Sequence, residues 1–121
     1  MKNLTIALAN NHAQLRQGFA SLLENLGHTV LIQAENGLDL LEQLKTSSDL
    51  PHVCIMDLHM PVMDGFALAK EIKERYPFMN VIAFSMSGSE AEIEKVLACG
   101  ADRFIYKGDY EELQEVLLSY S

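Results

Sequence analysis

The chain has only two cysteines in 121 residues, Cys54 and Cys99, and neither belongs to a CxxC pair or stands beside a paired histidine. That excludes a disulfide scaffold and a cysteine-held metal site, and describes buried thiols of a reducing compartment. Positive charge is also scarce. Nine Lys and Arg against 17 Asp and Glu leave a net charge of −8 and a pI near 4.8, so the domain is not built to grip a phosphate backbone. No apolar run approaches membrane-spanning length and no signal peptide appears in Met1–Asn10, so a cytoplasmic protein is expected. His12, His28, His52 and His59 lack metal-ligand spacing and read as solvated or loop residues. No repeat, linker or low-complexity segment interrupts the chain, and its length suits one domain, 1–121, with a core of its own.

What is present is organised around Val53-Cys54-Ile55-Met56-Asp57, followed at once by Pro61 and the pair Asp64-Gly65. An apolar run that ends on a carboxylate, then a tight loop, then a helix start, describes a buried central strand with Asp57 at its carboxyl end. Asp64 reads instead as a helix cap. Four further short apolar runs have the same character: Leu4–Ala9, Thr29–Ala34, Val81–Ser85 and Arg103–Tyr106. Between them, helical spacing marks Leu15, Phe19, Leu22, Leu23 and Leu26 (closed by Gly27), then Leu38, Leu41 and Leu44 after an Asn36-Gly37 turn. A third helix is predicted from about Asp64 to Tyr76, stopped by Pro77. Ser89 to Glu92 forms a capping box ahead of Ile93, Val96 and Leu97, and Gly100 ends that helix. Asp109 and Glu112 cap a last one carrying Leu113, Val116 and Leu117, whose Glu111–Glu115 stretch reads as a solvated face. Met56, Met60, Met63 and Met86 read as core and rim packing around the central strand end.

Strands alternating with helices predict an α/β fold: a parallel five-stranded sheet of order 2-1-3-4-5 with helices on both faces, the flavodoxin-like arrangement. In that order the ends of strands one, three, four and five converge on one crevice. Asn10, Asn11, Asp57, Ser85 and Lys107 should meet there. One carboxylate, one lysine, one hydroxyl and two amides suit phosphoryl handling: the carboxylate as nucleophile, the ammonium and hydroxyl on the new phosphoryl oxygens.

These residues resemble the receiver domain of two-component response regulators, from about Lys2 to Ser119. The resemblance is carried by Ile55–Gly65, by Ala83-Phe84-Ser85 and by Gly100–Lys107. It implies that Asp57 is the phosphoacceptor for a sensor histidine kinase, with Lys107 and Ser85 completing the site. It further implies that Ser85 and Phe104 are the switch residues, and that His59 and Ser87, with Met86 beside them, tune dephosphorylation. Such a domain is a signalling phosphoprotein whose only catalysis is its own phosphorylation and dephosphorylation. Asn10-Asn11-His12, Leu15-Arg16-Gln17-Gly18, Ser85-Met86 and Lys107-Gly108-Asp109 resemble the branch whose members carry a LuxR-type helix-turn-helix for transcription regulation. An output DNA-binding domain outside these residues is therefore expected, with homodimerisation left open.

One departure stands out. The family places two acids where this chain has Asn10 and Asn11. The resemblance makes Mg²⁺ the cofactor, held by Asp57, the position of Asn11, the His59 backbone carbonyl and, through water, the position of Asn10. An amide can ligate Mg²⁺ but brings no charge, so weak binding is expected. Asn11 can equally serve as a plain helix cap. The alternative reading is accordingly a receiver-like interaction module that works without Mg²⁺-dependent phosphorylation. A hydrolase is disfavoured, because Asp57-Leu58-His59 has no second carboxylate two residues on.

Overall fold

The computed structural model describes residues 3–121; Met1 and Lys2, which open the stretch read for a leader and the family resemblance, lie outside the described residues. Five strands, β1 (Thr5–Ala9), β2 (Thr29–Ala34), β3 (Val53–Met56), β4 (Asn80–Ser85) and β5 (Arg103–Tyr106), form one parallel sheet of order β2-β1-β3-β4-β5. They alternate with α1 (Ala13–Asn25), α2 (Gly37–Thr46), α3 (Gly65–Arg75), α4 (Glu90–Ala98) and α5 (Tyr110–Tyr120). The expected fold class is the one observed.

Residue size alternates along the strands and assigns the two faces. Ala7, Ala9, Cys54, Met56, Val81 and Ala83 pack under α2, α3 and α4. Ile6, Leu8, Val53, Ile55, Ile82, Phe84 and Ile105 pack under α1 and α5. Side chains one residue apart on a strand point to opposite faces. Asp57, next after Met56, therefore continues the Val53–Ile55 row toward α1, while Ser85 and Phe104 continue the other row toward α4.

Several local expectations shift. The Asn36-Gly37 pair does not make a turn: Asn36 caps α2, accepting the Asp39 N–H at 2.9 Å, and Gly37 is the first helical residue. Asp64 caps α3 as expected, accepting the Ala67 N–H, while Tyr76 is its C-cap rather than its last residue. Leu31 is exposed because the β1–β2 register skips it, pairing Ile6 with Val30 and Ala7 with Ile32, so this bulged residue of an edge strand turns outward. Leu15, Leu38 and Leu97 lie on the rims of their helical stripes and stay exposed, leaving Ala20, Leu23, Leu40, Leu41, Leu44 and Val96 as the buried contacts. Gly27 ends α1 at φ +97°, as its position implies. His28 and His52 do lie in loops, but each has a structural partner: their Nδ1 atoms accept the N–H groups of Leu4 and Thr5. Among the described residues no helix is long and apolar enough to cross a membrane.

Candidate functional site

Asp57 stands where β3 ends, its own N–H held by the Ala9 carbonyl of β1 at 3.0 Å. One carboxylate oxygen, Oδ1, accepts the Leu58 N–H at 2.7 Å; the other, Oδ2, accepts from Lys107 Nζ at 3.1 Å. Lys107 is placed by its backbone, whose N–H continues the ladder to the Ser85 carbonyl at 2.8 Å. Both side chains are nearly out of water, 12% exposed for Asp57 and 15% for Lys107, so this is not a surface ion pair. At an effective dielectric near 20 their attraction is about 5 kcal/mol, much of which desolvating the two charges takes back. What remains is orientation: a carboxylate whose two oxygens each have an assigned donor.

The loop after Asp57 is folded tightly beneath it. Gly65 N–H returns to the Leu58 carbonyl at 2.9 Å, and a Cβ on Gly65 would stand 2.3 Å from the Asp57 carbonyl oxygen. The loop also holds Val62 at φ +67°, unfavourable for a β-branched residue. That kink aims the Met63 carbonyl at the Gly37 N–H, 3.0 Å away, and so ties the loop to α2.

The two residues expected to switch, Ser85 and Phe104, occupy the other face. Ser85 is buried and donates to the Ser87 carbonyl at 2.9 Å. Phe104 is half-buried against the α4-side core, with its ring so close under the β4–α4 loop that a Cβ on Gly88 would lie 2.8 Å from it. Tyr106 stacks edge-on against Phe104 and donates its hydroxyl to the Gly88 carbonyl at 2.8 Å. The His59 imidazole meets Glu92 of α4 at 3.1 Å, and Glu92 also closes the α4 capping box with Ser89. Met86 and Ser87 are exposed on the same loop.

The amides divide. Asn10 lines the crevice with Asp57 and Lys107, but its Oδ1 is engaged by the His12 N–H at 2.8 Å. Asn11 is an exposed bend residue and not the helix cap; His12 occupies the cap position and offers no side-chain bond. Mg²⁺ keeps several waters and is commonly bound through one or two carboxylates plus phosphate oxygens. Here one carboxylate is available, already paired with a lysine, and among the described residues no three His, Cys, Asp or Glu are grouped to hold a metal. This is a poor donor set for Mg²⁺, a single carboxylate already paired with Lys107. The His59 carbonyl adds no charge to it. Of the residues expected in the crevice, then, Asp57, Lys107 and Asn10 line one small cavity together, Ser85 adjoins Lys107 through its backbone carbonyl, and Asn11 is an exposed bend residue. Arg16 of α1 lines it as well. In the sequence it stands out only within the Leu15–Gly18 pattern, because its reach to the strand ends depends on how α1 packs.

Comparison with known proteins agrees with this geometry. The family model described as the response regulator receiver domain matches residues 6–118. The chain is 32% identical to the chemotaxis protein CheY of Bacillus subtilis over 102 residues, covering 84% of this chain and 83% of that one. Among solved structures, the signal receiver domain of the response regulator NarL from Mycobacterium tuberculosis superposes with a TM-score of 0.86 at 26% identity, covering 99% of this chain and 98% of that chain. A LuxR-family DNA-binding response regulator from Staphylococcus aureus gives the same TM-score, 0.86, at 26% identity, covering 97% and 98%.

Proposed function

Because the chain belongs to the family of response regulator receiver domains, we propose that it is a phosphoacceptor switch of two-component signalling whose acceptor is Asp57. The phosphoryl group comes from the phosphohistidine of a sensor histidine kinase. A carboxylate oxygen of Asp57 forms the new O–P bond as the N–P bond breaks, and the imidazole leaves neutral, keeping the proton on its other nitrogen. Lys107 then passes from the carboxylate to a phosphoryl oxygen, where its charge is already in place and costs no reorganisation. Ser85 reaches the phosphoryl group by giving up the Ser87 carbonyl, and the loop above Phe104 moves with it. The readout is a population shift on the face made by α4, β5 and α5, felt by an output partner, here a transcriptional domain of the LuxR type.

The observation that carries this reading is the buried Asp57–Lys107 pair at the carboxyl edge of the central strands. Intact mass after incubation with phosphoramidate or acetyl phosphate tests it. The parent chain should gain one phosphate, and Asp57→Asn should gain none while keeping its far-UV circular dichroism. An undiminished gain in that variant would place the acceptor elsewhere. A second reading, favoured by Asn10 and Asn11, is an interaction module that signals unphosphorylated; it expects no gain in the parent under any donor.

A further inference from the structure

Arg16 is the one cation of the crevice without an assigned task. It sits on α1, half-buried, and donates from Nη1 to the Asn10 carbonyl at 2.7 Å. Its Nε is buried and has no hydrogen-bond partner among the described residues. A buried N–H of a charged group without an acceptor is rare and marks a place where an acceptor belongs. Beside it lies a cavity of about 20 Å³ lined by Asn10, Arg16, Phe19, Met56, Asp57 and Lys107. That volume admits one oxygen atom.

We propose that Arg16 and Lys107 form a two-cation oxyanion site, in which Arg16 takes phosphoryl oxygen on Asp57 in the role a divalent cation would otherwise fill. The proposal rests on the phosphoacceptor reading and deepens it. Strand alternation turns Asp57 toward α1, the helix that carries Arg16. Its neighbour Asn10 meets it through a backbone carbonyl and carries no charge, and Arg16 makes no ion pair among the described residues, so its charge stays available to a ligand. Two cations against one carboxylate favour an anion and repel a divalent metal. A guanidinium also presents planar paired donors, which match phosphoryl oxygens better than an ammonium does. The ligand class is a tetrahedral phosphate, either covalent on Asp57 or free.

The test compares the parent chain with Arg16→Gln and Arg16→Lys in EDTA. With phosphoramidate, the parent should gain one phosphate without metal, Arg16→Gln should react at least about tenfold more slowly, and Arg16→Lys should fall between. In a parallel titration with inorganic phosphate, the Nε–H resonance of Arg16 in the parent should shift. That measurement decides the matter even if the Gln variant fails to fold. Equal rates for parent and Arg16→Gln, or an unmoved Nε–H, would overturn the proposal while leaving Asp57 as acceptor. A shift with inorganic phosphate but no mass gain from any donor would sustain the oxyanion site and remove the phosphoacceptor reading.

Discussion

Replacing Gly65 by Ala should unfold this protein at a markedly lower temperature, whereas the same change at Gly18 should raise it. The new Cβ at position 65 would lie 2.3 Å from the Asp57 carbonyl oxygen and 3.0 Å from Leu58 Cα, both backbone atoms. An ordinary carbon–oxygen contact is about 3.3 Å or more, so something must move by about 1 Å. Overpacking of this kind costs about 1–3 kcal/mol. The Gly65 N–H bond to the Leu58 carbonyl would be strained or lost, for another 0.5–1.5 kcal/mol or so. Better helix propensity returns at most about 1 kcal/mol, less at a first helical position. The net loss is about 2–3 kcal/mol, a fall in Tm of roughly 8–12 °C for a domain of this size. Gly18 lies inside α1, exposed, with nothing within 4 Å of its added Cβ. Only the propensity gain applies there, about 0.5–1 kcal/mol and a rise of a few degrees. Calorimetry with urea titration measures both. A Gly65→Ala protein melting within about 2 °C of the parent would refute the close-approach argument. Equal losses at both positions would show that the response has nothing to do with the Asp57 carbonyl.

Ser85→Ala should cost only about 0.5–1.5 kcal/mol, the worth of its bond to Ser87. It should nonetheless uncouple the site from α4: backbone NMR shifts near Val96 on phosphorylation should shrink, and a parent-like response would show that the link runs elsewhere. Burial pushes the Cys54 thiol up to about 12 from 9.0. The protonated form is therefore favoured in the fold, and the stability this provides is complete below pH 9.0 and is lost as pH rises toward 12. Iodoacetamide near pH 8 should modify half-buried Cys99 first and Cys54 only at the rate of global opening, and simultaneous labelling would contradict the burial. Burial also lowers the pKa of His28 below 6.5, and its Nδ1 must be unprotonated to accept the Leu4 N–H. Its contribution is present above pH 6.5 and should fade on acidification, visible as a smaller pH dependence of Tm in His28→Gln.

How much of this was legible beforehand follows from how local each signal is. The strand that ends on Asp57, the capping box at Ser89 and Glu92, and the order of alternating elements are written in neighbouring residues, and they stand as expected. The sheet order then places Asp57 and Lys107, fifty positions apart, within a hydrogen bond. Less legible were features decided by packing at the margins. A helical stripe does not say which of Leu15, Phe19 and Leu23 meets the sheet, and a bulge at Leu31 leaves no mark in an apolar strand. Asn11 has the chemistry of a cap, yet the chain enters α1 one residue later. Arg16 was hidden for the same reason: a charged residue on an exposed-looking turn of α1, brought to the strand ends only by the angle of its helix.

The 2.8 Å gap between the Phe104 ring and the place where a Cβ of residue 88 would be has a mechanical consequence. Ring and loop occupy adjoining halves of one slot. In the proposed switch, a turn of the Phe104 ring would be felt by the loop at residue 88. Tyr106 holds Gly88 from outside through its hydroxyl and is itself exposed. The absence of a side chain at residue 88 is what leaves the ring its room.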